Sequence, residues 1–291
     1  MIAVRRRALV AAAVALALAS ATSAVADPAS RTGEPNCAVA PSLSAIEPAL
    51  ERSASRIAAG EPLTIVAMGS SSTRGIGASS PAMSYPSRLE QELEVRFPKI
   101  EIRVVNHGVG GQDVPEELIR LGRDVMAEHP DLVIWQVGTN AVLRRDDLSA
   151  DERLIERGVA LMRESGIDVV LMDMQYAARV LARPATAEME RLIAAIASHA
   201  HVGLFRRFEV MQEWDRRQQL APAAMIGPDG LHMTDASYGC LANQLAEALT
   251  WNWQSRAKVA ASSHGRPDAM AGHDPALQRP PRAMSPSREQ Q

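Results

Sequence analysis

A three-layer α/β/α sandwich built on a five-stranded parallel sheet is the fold class predicted by this 291-residue sequence. Five apolar runs of strand length alternate with stretches of helical periodicity, and that alternation implies parallel pairing through right-handed crossovers. The alternation occupies about 190 residues, enough for one domain with a sizeable core. The first three runs end in turns carrying glycine, serine or asparagine, at the carboxyl ends where open α/β sheets place their chemistry.

Residues 27–40 are small and polar and read as an extended arm, and Ala45–Ala59 reads as a helix through Ile46, Leu50 and Ile57, stopped by Gly60. The strands are expected at Leu63–Met68, Ile100–Val105, Leu132–Val137, Val169–Met174 and Val202–Phe205. Between them the helical patterns are Tyr85–Phe97, Val114–Glu128, Asp151–Ser165 and Ala187–Ala200. A last helix, Asp235–Trp253, takes Thr234 or Asp235 as its cap. From Gln254 the composition turns to Ser, Pro, Arg, His and Gln, which cannot bury enough surface to offset ordering entropy, so 254–291 is expected to be a disordered tail.

The turns carry the candidate chemistry. Gly69-Ser-Ser-Ser-Thr73 follows the first strand, Asn106-His-Gly-Val-Gly-Gly111 the second and Gly138-Thr-Asn140 the third, and Asp229-Gly-Leu-His232 precedes the last helix. A serine hydroxyl needs an imidazole against it and a carboxylate against that imidazole to act as a nucleophile. Acyl transfer also needs donors for the oxyanion, which a glycine-turn N–H and an asparagine amide supply. Taken singly, each block also reads as an ordinary turn or cap. Their conjunction and order are what carry the argument.

In that order the four blocks resemble the SGNH hydrolases, also called GDSL esterases and lipases, over residues 61–250. The resemblance implies strand order 2-1-3-4-5, Ser71 as nucleophile, His232 as its base and Asp229 as the residue orienting His232. It places the oxyanion hole at the N–H groups of Ser71 and Gly111 and the amide of Asn140. No cofactor and no metal are implied. The family's first block reads Gly-Asp-Ser, whereas Ser70 stands here at the Asp position, which leaves the hydrogen bonding of that loop open. Ser70 and Ser72 are alternative nucleophiles, and the Gly-x-Ser-x-Thr spacing selects Ser71.

Arg5-Arg-Arg7, an apolar run Ala8–Ala19 and the small-x-small site Ala24-Val-Ala26 read as a signal peptide over 1–26, with a retained anchor as the alternative. The expected domains are therefore that leader, an arm and helix over 27–60, a hydrolase domain over 61–253 and the tail. The mature protein is expected to be exported, periplasmic or extracellular, without stable membrane insertion. In an oxidising compartment Cys37 and Cys240 would close a disulfide, and otherwise they are a surface thiol and a core residue. A formal charge of −3 and 3% aromatic residues give no case for a nucleic-acid partner. Gly108-Val-Gly-Gly-Gln-Asp113 lacks the third glycine of a dinucleotide fingerprint, and His199 and His201 have no matched ligand spacing. His107 is either a cleft residue or a loop residue, Tyr85 a core contact, and Asp173–Arg179 a pocket wall or packing.

The expected activity is hydrolysis of short-chain carboxylic esters, O-acetyl groups on carbohydrate included, through an acyl-enzyme. An acyltransferase acting on an envelope polysaccharide, or a noncatalytic glycan- or partner-binding module, would present the same blocks. The sequence sets neither the natural ester nor the oligomeric state.

Overall fold

In the computed structural model, residues 37–144 and 148–264 are described, 256–264 by backbone alone. The leader 1–26, the start of the arm and residues 265–291 of the expected tail lie outside them.

Five parallel strands, β1 (Leu63–Gly69), β2 (Ile102–Gly108), β3 (Leu132–Gln136), β4 (Asp168–Met172) and β5 (Gly203–Phe205), form one sheet in the order β2-β1-β3-β4-β5. This is the fold class expected from the alternating strand and helix patterns, and the strand order implied by the family resemblance. Side chains alternate along β1: Leu63, Ile65 and Ala67 enter one buried cluster, Val66 and Met68 the other. Both sheet faces are therefore covered, which is why the strands read as nearly continuous apolar runs. The first cluster takes Leu89 and Leu93 from helix Tyr85–Arg96 and Leu241, Leu245 and Leu249 from helix Asp235–His264. The second takes Val114 and Leu121 from Val114–Asp124, Ile155 and Val159 from Leu148–Glu164, and Ile193 from Thr186–His199.

Several element ends shift from the sequence expectation, β2 from Ile100–Val105 to Ile102–Gly108 among them, and the larger differences are in the helices. The helix expected over Ala45–Ala59 is a turn, Pro41–Ser44, followed by a helix over Glu51–Ala59. Pro48 lies between them, and a proline supplies no N–H and clashes with the preceding turn inside a helix. The last helix continues past Trp253 to His264, because Gln254-Ser-Arg-Ala-Lys-Val-Ala-Ala261 contains good helix formers and the first glycine comes only at 265. A further helix, Arg207–Arg216, follows β5. Its inward stripe, Arg207, Met211 and Trp214, has helical spacing but begins with a cation, which hides it from an apolar-pattern reading.

From Cys37 the arm packs onto the domain. Its carbonyl accepts from the Trp214 indole at 2.8 Å, and Cys37 is bonded to Cys240 with Cα atoms 5.5 Å apart. The bond closes a loop of 203 residues, for which the chain-entropy relation gives about 5 kcal/mol. Reduction, or Cys37→Ser with Cys240→Ser, is expected to lower the urea midpoint and raise the m-value, because the unfolded chain then exposes more surface. An unchanged m-value would remove this entropic account.

Beneath the sheet, Trp135 donates its indole N–H to Glu117 at 2.7 Å. Burial pushes the Glu117 carboxyl up to about 7, against the pull of that hydrogen bond and of Arg120. An unfolded glutamate releases its proton near pH 4 to 5, so between that range and about pH 7 the folded state binds more protons than the unfolded one. Stability from this group therefore falls as pH rises through the window. Glu117→Gln, which keeps an acceptor for Trp135, is expected to flatten the decline of the urea midpoint between pH 5 and 7.5. An unaltered slope in the variant would rule Glu117 out as its source.

Candidate active site

Because the strands are parallel, the loops after β1, β2, β3 and β4 emerge at one end of the sheet. Register pairs Gly69 with Gly108 at the ends of β1 and β2, so the serine loop and the glycine loop start side by side. Gly108 permits this approach: a Cβ there would lie 2.0 Å from the backbone nitrogen of Arg74 in the serine loop. The Asp229–His232 segment is held by an antiparallel bridge between Ile226 and Met233 and by the Gly227 N–H donating to the His232 carbonyl at 2.8 Å. Gly77, at φ +93°, passes close beneath it, where a Cβ would strike the Met233 carbonyl.

This scaffold brings Ser71, His232 and Asp229 into one chain of contacts. Ser71 Oγ lies 2.9 Å from His232 Nε2, and His232 Nδ1 lies 2.5 Å from Asp229 Oδ2. Asp229 Oδ1 accepts the N–H groups of Leu231 and His232, each at 3.0 Å. Burial pushes the Asp229 carboxyl up, but those two N–H groups and the His232 ring outweigh it and hold the group at about 2. The carboxylate is thus ionised in any assay near neutral pH. Ser71 opens a single helical turn, Ser71–Arg74, so its N–H points out of the turn without a helical acceptor.

The neighbouring serines are otherwise engaged. Ser70 is buried, and both its N–H (3.2 Å) and its hydroxyl (3.1 Å) donate to Gln136 Oε1, to which Thr73 Oγ1 also donates at 3.4 Å. The Gln136 side-chain oxygen at the end of β3 thereby anchors the serine loop. Ser72 is 1% exposed and points into the interior.

Gly111 lies in the exposed loop after β2 at φ +78°. The short helix Thr139–Arg144 is stitched to that loop: Asn140 Nδ2 donates to the Gln112 carbonyl at 2.6 Å, and Arg144 donates to the Gly111 carbonyl. One Asn140 amide hydrogen is committed there, and the amide nitrogen carries a second. A Cβ at Gly110 would stand 3.9 Å from Ser71 Cβ, so the glycine loop passes directly beside Ser71.

Arg120 is a part of this arrangement that sequence reasoning missed. Its buried guanidinium donates to the carbonyls of Gly69 (3.0 Å) and His107 (2.8 Å), to Gln112 Oε1 (2.6 Å) and to Asp124 (2.9 Å). It therefore fixes the exit of β1, the exit of β2 and the glycine loop together. An arginine on the inward stripe of an otherwise amphipathic helix was the available signal.

Other residues fall outside the contact chain. His107 lies on β2 and pairs with Glu128 at 3.2 Å instead of lining the loop. Of the Asp173–Arg179 segment, residues 173–175 and Ala177 are buried, and Tyr176 packs edge-on against Phe208. Only Ala178 and Arg179 are exposed beside Gly230, so most of the segment is packing and not pocket wall. Tyr85 is fully buried, its hydroxyl 3.3 Å from Thr73 Oγ1. No helix among the described residues is long and apolar enough to cross a membrane.

Comparison with known proteins agrees with this architecture. An acetylxylan esterase from Geobacillus stearothermophilus is 41% identical over 56 residues, which cover 19% of this chain and 26% of that enzyme. Among solved structures, a two-domain esterase active on acetylated mannans superposes with a TM-score of 0.60 at 21% identity, covering 70% of this chain and 53% of that one. The crystal structure of Axe2, an acetylxylan esterase from Geobacillus stearothermophilus, superposes with a TM-score of 0.55 at 22% identity, covering 67% of this chain and 97% of that one. The profile of the non-GDSL lipase-like family matches residues 36–254, from just before Cys37 to just after Trp253, and the chain belongs to that family.

Proposed function

We propose that this protein is an exported serine esterase of the SGNH type that removes short acyl groups, acetyl esters of carbohydrate foremost, through an acyl-enzyme. The observation that carries the reading is the contact chain from Ser71 Oγ through His232 to Asp229, at 2.9 and 2.5 Å. Ser71 Oγ attacks the ester carbonyl while His232 Nε2 takes its proton, and Asp229 holds Nδ1–H and balances the imidazolium. The N–H groups of Ser71 and Gly111 and the Asn140 amide receive the tetrahedral oxyanion. His232 returns the proton to the leaving alcohol, and a water activated by the same imidazole releases the acid. No cofactor enters these steps. The acetyl preference is supported by the likeness to an acetylxylan esterase and to an esterase active on acetylated mannans.

The test is hydrolysis of p-nitrophenyl acetate, its longer homologues and acetylated xylan by protein beginning at Asp27, with Ser71→Ala beside it. Transfer of the acetyl group to an added oligosaccharide in place of release to water would make the enzyme an acyltransferase on the same site. Asn140→Ala is expected to lower kcat by about 10²- to 10³-fold. Full activity in that variant would remove Asn140 from the oxyanion hole.

A further inference from the structure

We propose that Arg207 is a positioning residue that, through Gln175, holds the three loops of the Ser71 site in a single register. The inference rests on the serine esterase reading above. Arg207 is fully buried at the start of helix Arg207–Arg216. Its Nη1 donates to Ser72 Oγ at 3.1 Å, one residue from Ser71, and its Nη2 donates to Gln175 Oε1 at 3.0 Å. Gln175, 1% exposed, reaches the other two loops. Its Oε1 also accepts from Thr139 Oγ1 at 3.0 Å, the residue before Asn140, and its Nε2 donates to the Leu231 carbonyl at 3.3 Å, between Asp229 and His232. One guanidinium and one amide thus touch the nucleophile loop, the Asn140 turn and the Asp-x-x-His segment.

Stability alone is a poor reason for a cation in this position. Arg207 shares an inward stripe with Met211 and Trp214, where methionine or leucine would pack, and a guanidinium taken out of water is costly unless fully paired. Its Nε finds no partner among the described residues. Asp173, the buried carboxyl that acts on it electrostatically, is itself pushed up to about 7 by burial. What the arrangement does supply is geometry: three loops from distant parts of the chain meet at one planar fork with fixed donor directions. A displacement of about 1 Å between reacting groups costs on the order of 10²-fold in rate.

The experiment compares kcat and KM on p-nitrophenyl acetate for Ser72→Ala, Gln175→Met, their double variant, Arg207→Met and Arg207→Lys, with thermal melts of each. Ser72→Ala and Gln175→Met are expected to lower kcat by about 10- to 10²-fold with KM within about twofold, the split of an interaction felt in the transition state. The double variant is expected to fall no further than the worse single, since both cut the same bridge. Arg207→Lys, which keeps a charge and donors, should recover part of the loss seen in Arg207→Met. If Arg207→Met does not fold, the two partner variants decide. Melting points that drop while kcat stays within about twofold of wild type, or losses that simply add, would overturn the proposal and leave Arg207 a structural residue. Failure of the esterase reading looks different: Ser71→Ala would then retain wild-type activity.

Discussion

Ser71→Ala and His232→Ala are each expected to reduce kcat toward p-nitrophenyl acetate by on the order of 10⁶-fold, with the double variant no worse than either alone. The non-additivity is the sharper part. Ser71 Oγ without an imidazole at 2.9 Å is an ordinary alcohol, and His232 without Ser71 has no nucleophile to deprotonate. Neither substitution should disturb the fold. Ser71 sits in one partly exposed helical turn whose anchors are Ser70 and Thr73 on Gln136, and the His232 segment is held by the Ile226–Met233 bridge, not by its ring. Residual activity in both variants should be equal and should reflect the oxyanion donors alone. Additive losses, or a Ser71→Ala protein with more than about one per cent of wild-type kcat, would mean that a different hydroxyl carries the acyl group. With Ser70 bound to Gln136 and Ser72 turned to the interior, neither neighbour is placed to take over.

The sheet was legible because its signal is local and redundant. Both faces of the strands are covered, so Leu63–Met68 and Leu132–Val137 read as nearly continuous apolar runs, and glycine or asparagine marks the exits of the first three. The Ser71 and Asn140 blocks were legible for a related reason, since each lies within a few residues of such an exit, whereas Asp229–His232 was marked by its own Asp-x-x-His spacing just before the last helix. What stayed hidden is what tertiary contact alone decides. Gln136 was one more residue inside an apolar run until its Oε1 met Ser70, and Gln175 was one more pocket candidate until its amide met Thr139 and Leu231. Arg120 and Arg207 sit on inward helix stripes where a cation lowers the apolar periodicity that identifies the helix. The helix start at Glu51 was misjudged because the apolar spacing of Ile46 and Leu50 outweighed Pro48, although a proline is the stronger local determinant.

Asp229→Asn is expected to cost on the order of 10⁴-fold in kcat while leaving the fold and KM nearly unchanged, and the reason lies in which tautomer His232 adopts. Asp229 Oδ1 accepts two backbone N–H groups and Oδ2 accepts from Nδ1. An asparagine must keep its carbonyl on the two N–H groups, since the amide nitrogen cannot accept them, so its NH₂ turns toward Nδ1. Nδ1 then has to accept, which places the ring proton on Nε2, the nitrogen facing Ser71 Oγ. That nitrogen can no longer take the serine proton. Asp229→Ala removes the block but also both turn contacts, so the asparagine variant isolates the tautomer and the alanine variant does not. The carboxylate side chain is 45% exposed, which offers a physical route to a smaller effect: water replacing Oδ2 at Nδ1 would restore the productive tautomer in the alanine variant. Asp229→Asn being more damaging than Asp229→Ala would therefore support the tautomer argument, whereas a loss below about tenfold in both would show that Asp229 only shapes the turn.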